Sequence, residues 1–135
     1  MQTYHLFISH SWSYPHAHDN LVRLLNARPG FMYKNFSVPT DNPIVGAKTD
    51  KQLEEAIENK IRACSAVLIM AGMYSTYSKW INKEIEIAKR MGKVIIAIKP
   101  FGAERISTVV RNAAHAECAW NTNSIISAIR QHTAV

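Results

Sequence analysis

The sequence predicts an α/β fold, a central parallel sheet with helices packed on both faces. Two unbroken apolar runs, Val67-Leu68-Ile69-Met70-Ala71 and Val94-Ile95-Ile96-Ala97-Ile98, read as parallel strands covered on both sides. Between them, from about Ser78 to Met91, apolar residues recur at helical spacing. A third apolar stretch, Tyr4 to Ser9, is followed by a helical pattern of its own. Strands that alternate with helices favour parallel pairing, because a parallel neighbour is reached only by a crossover.

Taken in order, Tyr4-His5-Leu6-Phe7-Ile8-Ser9 reads as a short buried strand. After a polar stretch, Ala17, Leu21, Leu24 and Leu25 fall on one helical face, and Pro29-Gly30 closes that helix. Phe31 to Val38 alternates weakly and predicts a second, poorer strand. Pro39-Thr40-Asp41-Asn42-Pro43 then breaks regular structure and begins a long loop. Thr49-Asp50-Lys51-Gln52 has the form of a capping box, and Leu53, Ile57, Ile61 and Cys64 follow on one face. The strand at Val67 comes next, then the helix from Ser78, which Gly92 is placed to end, then the strand at Val94. Ile125, Ile126 and Ile129 mark a final helix. At this length the natural arrangement is a flavodoxin-like three-layer sandwich.

The chain has 135 residues and a mass of 15.2 kDa, enough for one hydrophobic core. No repeat, low-complexity segment or linker divides it, so residues 1–135 read as a single domain. With 47% apolar and 19% charged residues the composition is that of a folded protein. No apolar run approaches a membrane span and the first residues lack a signal-peptide pattern, so the expected location is the cytoplasm. Cys64 and Cys118 are far apart and beside apolar residues, which predicts buried free thiols. A formal charge of +6 and a pI of about 9.5 suit an anionic partner. The Lys and Arg residues are scattered, and no zinc-finger or RNA-binding signature is present. Nucleic acid is therefore a weak expectation, and a phosphate-bearing small molecule fits the charge equally well.

A flavodoxin-like order places a topological switch point between the first and third strands, and ligands bind there, outside the carboxyl ends of the strands. Ser9-His10-Ser11-Trp12 and the segment Gly72 to Trp80 converge on it. On the helix that follows, Ile81, Ile85 and Ala88 form one stripe, and Trp80, Glu84, Ile87 and Met91 form the next. Glu84 is thus expected among apolar groups on a half-buried face, whereas Lys83 and Glu86 hold positions suited to solvent. Periodicity alone leaves two roles open for it: a carboxylate at a ligand crevice, or a surface residue stabilising a helix N-terminus.

Several machines can be set aside. A phosphoryl-accepting receiver domain shares the fold and the Lys99-Pro100 pair, but it needs acidic residues where this chain has Ser9-His10 and Ala71-Gly72. No G-x-G-x-x-G, P-loop or G-x-S-x-G motif occurs. His10, His16 and His18 match no zinc spacing, so no metal site is expected. His10 stands apart because it falls at the switch point itself.

Leu6-Phe7-Ile8-Ser9-His10-Ser11 resembles the first strand and loop of TIR domains. Ser78-Lys79-Trp80-Ile81-Asn82-Lys83-Glu84 resembles the S-x-W-x-x-x-E element of TIR enzymes that cleave NAD⁺. Asn35-Phe36-Ser37-Val38-Pro39, Ala119-Trp120-Asn121, and the pairs Ile125-Ile126 and Ile129-Arg130 are similar to the bacterial TIR-like family of Thoeris antiphage defence, the ThsB family. The resemblance covers nearly the whole chain.

It implies an enzyme that cleaves NAD⁺ at the nicotinamide–ribose bond with Glu84 as the catalytic carboxylate. NAD⁺ would be the substrate, with no separate cofactor. Substrate-binding positions implied by the resemblance are Phe7, Ser9, His10, Ser11, Asp41, Asn42 and Trp80. Bland roles stand beside these: core packing for Phe7, helix capping for the serines, and turn formation for Asp41 and Asn42. The family further implies a cyclic ADP-ribose-type signal that reaches an effector protein by diffusion, and self-association through TIR–TIR contacts. Two rival readings remain. One is a non-enzymatic TIR-like adaptor, motivated by Trp12, Tyr74 and Tyr77. The other is a nucleotide sensor that binds without turnover.

Overall fold

The computed structural model describes residues 3–9, 17–36, 50–70, 78–99 and 108–133. Ten elements follow one another: β1 (Thr3–Ile8), α1 (Ala17–Asn26), β2 (Met32–Asn35), α2 (Asp50–Arg62), β3 (Ala66–Met70), α3 (Ser78–Arg90), β4 (Val94–Ile98), α4 (Thr108–Ala113), β5 (Ala116–Cys118) and α5 (Thr122–His132). The strands form one parallel sheet in the order β2-β1-β3-β4-β5, the flavodoxin-like order expected from the sequence.

The strand pleat divides the core into two layers. Phe7, Val67, Ile69, Ile95 and Ala97 face Ile57 and Ile61 of α2, Ile85, Ile87 and Ala88 of α3, and Val110 and Ala113 of α4. Their neighbours in sequence, Leu6, Ile8, Leu68, Ile96 and Ile98, face Leu21 and Leu25 of α1 and Ile125, Ile126 and Ile129 of α5. The described side chains of β3 and β4 fall in one layer or the other, which is why those runs are apolar without alternation.

Local chemistry sets the ends of the elements. Gly92 takes a left-handed conformation with φ 69°. Its N–H donates to the Lys89 carbonyl and the Lys93 N–H donates to the Ala88 carbonyl, which together close α3 as a Schellman motif. Asn121 caps α5 by accepting a hydrogen bond from the Ser124 N–H. The Thr49 cap expected for α2 lies outside the described residues, whereas Ile57, Ile61 and Cys64 share the buried face assigned to them.

Three differences from the sequence reading have physical causes. The second strand is four residues long, not eight, and mostly exposed, because β2 is an edge strand with β1 as its single neighbour. Tyr4 stacks on Phe31, with ring centroids 5.4 Å apart, just before that edge begins. α4 and β5, which the sequence does not announce, have six and three residues. Neither is long enough for its period to register. Among the described residues no helix is long and apolar enough to cross a membrane.

Candidate functional site

The site begins where β1 and β3 end side by side. Ile8 pairs with Leu68, and the Ser9 N–H donates to the Leu68 carbonyl at 3.0 Å, extending the ladder one residue beyond β1. The helix that follows β1 covers one face of the sheet and the helix that follows β3 covers the other. This change of side marks a topological switch point, where ligands of such sheets bind outside the carboxyl ends of the strands.

Phe7 is 1% exposed and belongs to the same apolar cluster as Ile85, Ile87 and Ala88. Ser9 is fully buried, and strand alternation places it on the Phe7 side, the face that α3 covers. Its N–H is held by the sheet, so a contact between Ser9 and a ligand would have to come from the hydroxyl or the carbonyl.

Glu84 lies in the middle of α3 and is 3% exposed, less than the neighbouring Ile85 at 6%. Among the described members of the two stripes expected on this helix, Glu84, Ile85, Ile87 and Ala88 are buried. Ile85 and Ala88 pack on the sheet, while Ile87 is enclosed and Met91 packs partly against the same cluster. Asn82 and Glu86 are exposed and Lys83 is half-buried. The sequence expectation of a half-buried face is thus too mild for Glu84. No acidic residue lies in the first turn of α3, and Glu84 is not at the surface. Its alternative role as a surface residue serving the helix N-terminus is therefore set aside.

A glutamate enclosed to this degree is rare, because removing a carboxylate from water carries a penalty of several kcal/mol. Such positions are concentrated where a site needs the charge. Trp80 lies in the first turn of α3, about one turn before Glu84, and its side chain is outside what the structure describes. His10, Ser11, Asp41 and Asn42 also lie outside the described residues, as do His16, Trp12, Tyr74 and Tyr77. Of the residues expected at the site, the structure therefore brings together Phe7, Ser9 and Glu84, all on one face of the sheet.

Sequence reasoning missed the carboxylates that flank this helix. Glu54 of α2 accepts from Lys83 of α3 at 3.3 Å. Glu58 bridges Arg62 of its own helix and Arg90 of α3, each at 3.2 Å. The i, i+4 spacing of Glu58 and Arg62 is legible in sequence, but a partner on another helix leaves no trace in one sequence. Thiol chemistry finds no support in the two cysteines, which are free. Burial pushes both Cys64 and Cys118 up to about 12, the reverse of a reactive thiolate. Among the described residues no three His, Cys, Asp or Glu side chains are grouped to hold a metal.

Residues 7–105 match the family described as Thoeris protein ThsB, TIR-like domain. This chain belongs to that family. The ThsB TIR-like match spans the elements that carry Phe7, Ser9 and Glu84. No curated protein sequence matches the chain. Among solved structures it is similar to the 2-deoxyribosyltransferase from Bacillus psychrosaccharolyticus, at 13% identity and a TM-score of 0.55, with 84% of each chain covered. It is also similar to the Clostridium botulinum CMP N-glycosidase BcmB, at 14% identity and a TM-score of 0.54, covering 95% of this chain and 99% of that one. At these identities the likeness is one of fold.

Proposed function

We propose that this Thoeris TIR-like protein cleaves NAD⁺ between nicotinamide and ribose, with Glu84 as the catalytic carboxylate. The observation that carries the reading is the burial of Glu84 at 3% exposure on α3, the helix that follows β3 at the switch point. The two solved structures similar in fold are named as a 2-deoxyribosyltransferase and an N-glycosidase, names consistent with chemistry at a bond between a sugar and a base.

The chemistry needs one carboxylate. Nicotinamide in NAD⁺ is already a cationic pyridinium, so it leaves as a neutral molecule without being protonated. The paired carboxylates of most glycosidases include a general acid for the leaving group, and that group is unnecessary here. As the bond from C1′ to the nicotinamide nitrogen breaks, positive charge develops on the ribose ring. Glu84 stabilises that oxocarbenium charge and holds the ribose hydroxyls, in surroundings where exclusion of water strengthens both interactions. Phe7 and Trp80 form apolar walls, and Ser9, His10 and Ser11 offer hydrogen bonds to ribose or phosphate. Asp41 and Asn42 correspond to a loop that in TIR domains often reaches a neighbouring subunit, and on this reading self-association completes the site.

A nucleophile then takes the ring carbon. Water gives ADP-ribose and releases a proton. A nucleophilic group within the ADP-ribose moiety, losing its own proton if it is a hydroxyl, gives a cyclic isomer that is lighter by one water. We favour the cyclic product, a diffusible signal for a separate effector protein in antiphage defence. The test is nicotinamide release by concentrated protein, wild type against Glu84→Gln, with mass spectrometry of the second product. Release by the wild type and its loss in Glu84→Gln is the expected result. Equal release from both proteins would remove Glu84 from the mechanism.

A further inference from the structure

We infer that the Lys83–Glu54 ion pair is a positioning device for Glu84, fixing the rotation of α3 about its own axis; the inference rests on the proposed catalytic role of Glu84. α2 and α3 lie side by side on the same face of the sheet and are joined at two levels. Lys83 Nζ meets Glu54 Oε2 at 3.3 Å in the second turn of each helix. Further along, Arg90 Nη2 meets Glu58 Oε2 at 3.2 Å.

Ile85, Ile87 and Ala88 hold the helix against the sheet by packing, and the ion pairs tether its α2 side in addition. An ion pair has both direction and short range. Of the two α3 cations in these pairs, Lys83 is the better shielded, at 35% side-chain exposure against 50% for Arg90, so salt and water screen its pair less.

Lys83 immediately precedes Glu84, so any roll of α3 moves both together. With side chains about 5–6 Å from the helix axis, a roll of about 10° displaces the Glu84 carboxylate by roughly 1 Å. Misplacement by about 1 Å can lower a rate ~10²-fold. The same roll pulls Lys83 off Glu54, and the pair resists it. Arg90 lies nearly two turns beyond Glu84 and supplies a control pair of similar geometry.

The test uses the full chain and a double-mutant cycle on NAD⁺ turnover. Glu54→Gln and Lys83→Met should each lower kcat about tenfold with KM within about twofold, and the double variant should be no worse than either single one. Glu54→Gln keeps the Lys83 charge, which separates positioning from a direct field on Glu84. Lys83→Arg should restore most of the rate, and Arg90→Met, which removes a more exposed and more distant pair on the same helix, should lower kcat less than Lys83→Met does. Unaltered kcat in the single variants, additive losses, or an equal loss in Arg90→Met would overturn the inference. Amide hydrogen exchange over residues 83–88 gives a readout independent of turnover. It should quicken more in Glu54→Gln than in Arg90→Met, and no difference there would also overturn the inference. A wild type that releases no nicotinamide would instead defeat the NAD⁺ reading, leaving hydrogen exchange to decide whether the pair fixes α3.

Discussion

The two faces of the sheet are built from the same kinds of residue and carry different loads. On the α1–α5 face, Leu6, Ile8, Leu68, Ile96 and Ile98 meet Leu21, Leu25, Ile125 and Ile129. The buried polar group of that side is Thr133, which ends α5 and whose N–H donates to the Ile129 carbonyl. On the α2–α3–α4 face an equally apolar layer encloses Ser9 and, in mid-helix, Glu84. One face is scaffold. The other holds a carboxylate where water is scarce, which on the proposed function is the catalytic group.

The largest effect that would test this contrast is at Glu84. Replacement by Leu should lower nicotinamide release by at least about 10²-fold, the size seen when a charge-stabilising group is removed. It should remain folded, losing at most about 3–5 kcal/mol as the interaction Glu84 makes is broken from one side. A thermal melt beside the nicotinamide assay checks both halves. A Glu84→Leu protein that unfolds would make the residue structural. On the opposite face, Leu68→Ala or Ile96→Ala should cost about 2–5 kcal/mol by denaturant unfolding while kcat per folded molecule stays the same. A fall in kcat larger than the unfolded fraction explains would blur the division between the faces.

Alkaline pH gives a smaller effect. Both thiols have folded pKa values raised from 9.0 to about 12 by burial. The folded protein therefore keeps protons that the unfolded chain releases. The stability from each thiol is full below pH 9.0 and is lost as pH rises from there toward about 12. Denaturant midpoints on either side of pH 9.0 should show this decline, and it should be shallower in Cys118→Ala than in the wild type. The smallest expected change is at the helix junction. Lys83→Met should alter unfolding free energy by only about 0.2–1 kcal/mol, as for other partly exposed ion pairs, despite its larger effect on rate.

The parts of the fold that were legible in sequence are those where burial imposes a long pattern. β3 and β4 are read from their unbroken apolar runs, α3 from its stripes, and the end of α3 from Gly92. β2 is overestimated because an edge strand answers to solvent, and α4 and β5 are missed because six and three residues cannot display a period. At the site, helical spacing puts Glu84 on an inward stripe but does not give its depth, since the enclosure also depends on the sheet beneath it. The Ser78-Trp80-Glu84 pattern singles out this glutamate over Glu86, and only three-dimensional packing introduces Glu54 as a neighbour of Lys83.

The most direct measurement is a timed incubation of concentrated wild-type protein and Glu84→Gln with NAD⁺, resolving nicotinamide and its partner product by mass spectrometry. Nicotinamide and a cyclic ADP-ribose isomer should accumulate in equal amounts with the wild type and stay at background with Glu84→Gln. Release at the same rate from both proteins, or none from assembled wild type, would contradict the assignment of Glu84 as the carboxylate that breaks the bond.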